Sequence, residues 1–173
     1  MNLKGYFDFL NERHLIYLKK LRGQEFPWTT DPILQKYKFT NVFRENDKTT
    51  VWFRENVREN MRDEMDVALA TIIFRWFNRI ETGVCWCIDQ IANDGNKFID
   101  SMSDAKGNLK QLWDVLMPYP YMGPFMAYEV VTDWRHTFLG DEATDIMTWG
   151  NPGPGAKRGL NRIHGRPLNK NIK

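Results

Sequence analysis

The chain has 173 residues, 42% of them apolar, and a formal net charge of +2, which is enough chain for one hydrophobic core and too little for two. The longest apolar run, Val67 to Phe74, ends at Arg75, far short of the roughly 18 uncharged apolar residues of a membrane helix. Cys85 and Cys87 are too few for a disulfide framework, and Asp8, Glu12 and Arg13 stand where a signal peptide would carry its apolar core, so a cytoplasmic protein is expected.

Helical periodicity dominates the chain. The first predicted helix covers Tyr6 to Leu21, with Phe9, Leu10, Ile16, Tyr17 and Leu21 toward one side, and Gly23 ends it. Asp31-Pro32 marks a second start, a capping carboxylate before a proline tolerated at the first helical position, followed by Ile33, Leu34 and Tyr37. A charged amphipathic helix is expected from Asp47 or Thr50 to about Met61. The segment Asp63 to Ile80, with Met65, Leu69, Ile72, Ile73, Trp76 and Phe77, is the most apolar and therefore central. Further helices are predicted over Gly83 to Ala92, Leu109 to Met117 and, after the turn Pro118-Tyr119-Pro120-Tyr121, Pro124 to about Thr137. Asn151-Pro152-Gly153-Pro154-Gly155 is read as a non-helical loop before the basic segment Ala156 to Ile163. No strand alternation competes, so the expected fold is all-α: a single compact helical domain over residues 1–165 with a basic C-terminal tail over 166–173.

Charge is segregated. No acidic residue follows Asp145, whereas Lys157, Arg158, Arg162, Arg166, Lys170 and Lys173 do; the first 145 residues hold eighteen Lys and Arg against twenty-two Asp and Glu. A basic end on a mildly acidic body suits one face for a polyanion, and a solubilising tail is the competing account beyond Gly165.

The strongest chemical signal is Pro152-Gly153-Pro154-Gly155 opening onto Lys157, Arg158 and Arg162. Glycines let backbone N–H groups converge, a helix start offers partial positive charge, and the cations complete a phosphate clamp in outline, with a Gly/Pro turn entering an ordinary surface helix as the alternative. The pattern of a nucleotide-triphosphate loop is absent. Gly123, in Pro120 to Tyr128, marks a second turn of the kind that presents amides to a DNA phosphate, with a plain helix-helix turn as the alternative. Glu129 and Asp133 lie four apart on one predicted helix face, and Asp145 follows further on. Asp145 and Asp133 are the candidate catalytic acids, against surface or capping roles for each. Asn41, Arg44 and Asp47 sit in a stretch without helical or strand logic, as a contact loop does, with helix capping by Asp47 as the rival reading. Trp28, Trp52, Trp134 and Trp149 stand beside polar turns where an extruded base could stack, although core filling is the default for tryptophan. The three histidines and the Cys85-Trp86-Cys87 run have no metal-ligand spacing, and no metal or cofactor is expected.

Several segments resemble one family. Phe26-Pro27-Trp28-Thr29-Thr30-Asp31-Pro32-Ile33-Leu34 and Tyr37-Lys38-Phe39-Thr40-Asn41-Val42-Phe43-Arg44 with Asp47 are similar to the opening motif of the alpha-glutamyl/putrescinyl thymine pyrophosphorylase group. That group includes the helical domain of 5-hydroxymethyluracil DNA kinases. Arg75-Trp76-Phe77-Asn78, Gly123 to Glu129 and Gly153 to Arg162 match later motifs in the same order. The resemblance implies a fold akin to helix-hairpin-helix DNA glycosylases, found largely in bacteriophages, and hence a host-cell cytoplasmic location. It implies double-stranded DNA with modified thymine as partner, alongside a DNA kinase or other modification enzymes. The implied activity replaces the pyrophosphate on an activated, flipped 5-hydroxymethyluracil with an amine or amino acid. A glycosylase excising a modified base and a non-catalytic DNA-binding module are the alternatives. Gly123 would mark the hairpin-like turn and Asp145 would lie near a glycosylase's catalytic aspartate. Trp28, Asn41, Arg44 and Asp47 would bind the base, and Gly123, Gly153, Gly155, Lys157, Arg158 and Arg162 the DNA phosphates.

Overall fold

The computed structural model describes residues 3–76 and 83–172. Nine α-helices run through them: α1 Leu3–Leu21, α2 Pro32–Lys36, α3 Lys48–Phe53, α4 Glu64–Trp76, α5 Cys85–Asp94, α6 Asn96–Ala105, α7 Leu109–Leu116, α8 Pro124–Trp134 and α9 Pro154–Ile163. A 3-10 turn covers Arg44–Asn46, and α3 passes into wider π-helical turns over Arg54–Arg58. No strand occurs among the described residues, in agreement with the all-α expectation, and none of their helices is long and apolar enough to cross a membrane. The predicted continuation of the central helix from Phe77 to Ile80 lies outside the described residues. Two compact units are present: residues 1–52 with 154–173, and residues 53–153.

In the 53–153 unit, α4 packs on α8, α8 on α7, and α7 on α6. Each helix buries the stripe that its sequence period dictates: Val67, Ala68, Thr71 and Ile72 on α4, Phe98, Met102 and Ala105 on α6, Leu109, Leu112 and Leu116 on α7, and Ala127, Val130, Val131 and Trp134 on α8. Steps of three and four keep these side chains on one face, and each large one contributes about 1.5–3 kcal/mol on burial. Trp134 is completely buried, which removes it from the candidate stacking platforms.

Two elements depart from the sequence reading. α6 was not foreseen, because Asn93-Asp94-Gly95-Asn96 reads as a terminator. Gly95 adopts φ +50° and turns the chain between two helices in a single residue, a conformation strained for any L side chain. At the other end, Pro154 and Gly155 belong to α9 rather than to a preceding loop. A proline in the first turn sacrifices only an N–H that has no helical partner, and its fixed φ suits the helix.

In the other unit, α2 is short but well capped: the Asp31 carboxylate accepts from the N–H groups of Ile33 and Leu34 at 2.8 and 3.0 Å. The residues after α9 fold back on it. Asn161, fully buried, donates from Nδ2 to the carbonyls of Leu168 and Lys170, while its backbone carbonyl accepts from Arg166 N–H at 2.8 Å. Asn161→Ala removes both side-chain bonds at once. It should destabilise this unit by about 1–2 kcal/mol and speed tryptic cleavage after Lys170, which limited proteolysis followed by mass spectrometry would read.

Cys87 is buried on α5 whereas Cys85 is exposed. Burial pushes the Cys87 thiol up to about 11. The Tyr119 phenol is raised too, chiefly by burial and then by its 2.7 Å bond to Asp94. The unfolded chain therefore loses these protons first, so stability is complete below about pH 8.5, the ordinary thiol value, and declines as pH rises toward 11. Denaturation midpoints at pH 8 and pH 10.5 should show that fall, and an alkylating agent at pH 8 should label Cys85 while sparing Cys87 until denaturant is added.

Candidate nucleic-acid interface

The segment from Trp28 to Asp47 is organised by hydrogen bonds that cross it. Thr29 donates from its hydroxyl to Glu12 at 2.6 Å and receives the backbone N–H of Asp31, while its carbonyl accepts from Gln35. The cap on α2 is thereby tied to α1. Trp28 is half-buried: its indole N–H donates to the Gln24 carbonyl at 2.7 Å, Phe26 meets it edge-on, and Lys20 Nζ lies 4.2 Å from its ring centroid. A base stacking on Trp28 must displace Lys20 or take the opposite face.

Asn41 is a hub. Its Oδ1 accepts from Arg13 Nη2 at 2.7 Å, and its Nδ2 donates to the Asn46 carbonyl at 3.1 Å and to Asp47 Oδ1 at 2.8 Å. Arg13 also holds the Phe39 carbonyl through Nε and Nη2. Both amide hydrogens of Asn41 are thus used within the protein, and Asn41 and Asp47 fix the shape of a loop on which Arg44, exposed at the start of the 3-10 turn, is presented. Sequence reasoning missed Arg13; its partner lies 28 residues away and no local pattern announces it.

On α9, Arg158 and Arg162 are exposed and Lys157 half-buried. Arg158 and Arg162 are four apart and share a helix face. None of the three forms an ion pair with a carboxylate among the described residues, so their charge is available to an external anion. Gly155 has open space around it, in the first turn of that helix.

The remaining candidates lie in the 53–153 unit. Gly123 precedes α8 in ordinary extended geometry with open space where a Cβ would be. The left-handed residue of the turn is instead Tyr121, at φ +62°. A Cβ at Gly153 would meet the Phe125 ring at 2.7 and 2.9 Å, so a side chain there would have to displace that ring. Asp145 receives the N–H of Leu109 on Oδ1 at 2.7 Å and that of Lys110 on Oδ2 at 3.1 Å. With Asn108 Oδ1 accepting from Gln111 N–H, the orphan donors of the first turn of α7 are satisfied and a negative charge rests on its positive end.

Asp133 is buried and pairs with Arg75 Nη2 at 2.5 Å, while Glu129 meets Arg75 Nη1 at 3.1 Å and its carbonyl accepts from Nη2. The two carboxylates do share a face of α8, and a guanidinium from α4 lies against both. The sequence signal for that partner is Arg75 itself, the lone cation of α4, placed directly after its apolar run. Of the candidate residues, Asp145 and Asp133 are each engaged by the protein's own donors.

The family described as the 5-hmdU DNA kinase, helical domain, matches residues 2–88 and 88–173. The 5-hmdU DNA kinase of Bacillus phage SP10 is 38% identical over 82 residues, which amount to 44% of this chain and 13% of that protein. This chain therefore corresponds to a small part of that relative's length. No solved structure matches the chain. With the match extending over nearly every residue described above, the chain belongs to the family of 5-hmdU DNA kinase helical domains.

Proposed function

We propose that this chain acts in thymine hypermodification of phage DNA, binding duplex DNA and replacing the pyrophosphate of an activated 5-hydroxymethyluracil with an amine or amino acid. The observation that carries the DNA-binding part is the exposed cationic face of α9, where Arg158 and Arg162 have no carboxylate partner among the described residues. The SP10 relative is named a 5-hmdU DNA kinase, and an enzyme of that kind is the expected companion. Lys157, Arg158 and Arg162, with Gly123, Gly153 and Gly155, are assigned to DNA phosphates. Arg44, Trp28 and the loop built by Asn41 and Asp47 are assigned to a base swung out of the duplex. The fold would then be akin to helix-hairpin-helix glycosylases.

The chemistry asks little covalent help of the protein. The amine nitrogen attacks the exocyclic methylene carbon, the C–O bond to pyrophosphate breaks, its electron pair leaves with pyrophosphate, and the ammonium proton passes to a base. Asp145 is the better candidate for that base, being partly exposed where Asp133 is buried against Arg75. A second reading, a DNA-binding module without chemistry, is favoured by the engagement of both acids in capping and ion pairing.

Incubation with DNA carrying 5-hydroxymethyluracil or its pyrophosphorylated form, plus a mixture of amines and amino acids, followed by nucleoside mass spectrometry, tests the reading. New amine adducts are expected. Abasic sites would make the chain a glycosylase, and unchanged nucleosides with tight binding would make it a module. Arg158→Ala should weaken duplex binding and lower the slope of log affinity against log salt by about one. Asp145→Ala should cost about 1–2 kcal/mol of stability through loss of the α7 cap. Adduct formation by a folded Asp145→Asn protein at the wild-type rate would remove Asp145 from the chemistry.

A further inference from the structure

The 53–153 unit carries a cleft of about 390 Å³ lined by Arg58, Arg62, His136, Thr137, Phe138 and Asp141. Arg58 closes the π-helical turns and Arg62 follows shortly after, while the other four belong to the chain beyond α8. Two guanidiniums and an imidazole are thus brought from separate segments to one concavity, together with the Asp141 carboxylate among the described residues. Lys106 adds a cation nearby, its Nζ 5.6 Å from the Phe138 ring centroid. This concentration of positive charge occurs within the part of the chain whose formal balance is negative.

Arg62 is ordered before any ligand arrives. Its Nη1 donates to the Met61 carbonyl at 2.7 Å and more weakly to Arg58 at 3.4 Å, and its Nη2 donates to Glu59 at 2.6 Å. These carbonyls lie at the end of the widened turns, where backbone acceptors lack helical partners. A guanidinium has five N–H donors, so the fork keeps some to spare, and little further side-chain entropy is lost on binding. Arg135 Nε donates to His136 Nε2 at 3.1 Å, which orients that ring.

We propose that this cleft binds a phosphate group. Planar guanidinium forks match a tetrahedral oxyanion with several acceptor oxygens, and two of them on one concavity suit a group carrying more than one negative charge. Asp141 opposes any anion in the cleft, so its neutralisation should strengthen binding. A DNA strand and free pyrophosphate both present these oxygens. The site stands whether or not the chain performs base chemistry.

Calorimetric titration of the full chain with inorganic pyrophosphate, and titration with a DNA duplex at several salt concentrations, separates the two sources. Arg58→Gln should weaken the relevant ligand roughly tenfold, the loss of one charge-assisted contact. Asp141→Asn should tighten it, an outcome that misfolding cannot mimic. Pyrophosphate binding that responds to both variants identifies a free-phosphate site. A DNA salt slope lowered by about one in Arg58→Gln, without pyrophosphate binding, identifies a strand contact. The proposal is overturned if pyrophosphate does not bind and the DNA slope is unchanged in Arg58→Gln, or if both variants bind both ligands as the wild type does.

Discussion

The packing of α4 on α8 in the 53–153 unit turns on the ion pairing of Arg75 with two carboxylates. The last turn of α4 carries a guanidinium that is only 14% exposed, and a charge so placed must be matched, because its desolvation is otherwise uncompensated. Glu129 and Asp133 supply the match from one face of α8. Their four-residue spacing, which also suits an acid-base pair, is first of all the spacing that lets one helix offer two carboxylates to one fork. The contact between α4 and α8 thereby acquires a fixed rotation and register, which apolar stripes alone would leave looser.

The same economy governs the end of α7. Asp145 reaches back 36 residues to Leu109 and joins two segments whose relation is invisible in local sequence. Loop carboxylates of this kind hold a helix terminus and a following turn together, and any catalytic duty of Asp145 must coexist with those two hydrogen bonds.

How much was legible follows from the range of each interaction. α1, α2, α7 and α8 could be read because apolar spacing, Asp31-Pro32 and the prolines before α8 act within a few residues. α6 was hidden by a one-residue turn at Gly95 that resembles a stop, and the start of α9 by the habit of reading proline and glycine as loop. The cationic face of α9 was legible from charge segregation. The duties of Asn41, Asp133 and Asp145 were not, since their partners Arg13, Arg75 and Leu109 lie between 28 and 58 residues away in the chain. Spacing predicts which face a side chain shares, whereas the partner on the other element is decided only when the helices pack.

Gly153 and Phe125 pack so closely that a side chain cannot be added at 153 unless the ring at 125 moves or shrinks. Bulk at 153 demands a smaller or displaced residue at 125, so relatives that accept a side chain in the proline-rich bend should carry a compensating reduction at the first turn of α8. That pairing would appear as correlated substitution between two sites nearly thirty positions apart in the chain. Such covariation would separate a glycine kept for the sake of a neighbouring ring from one kept to cradle an anion.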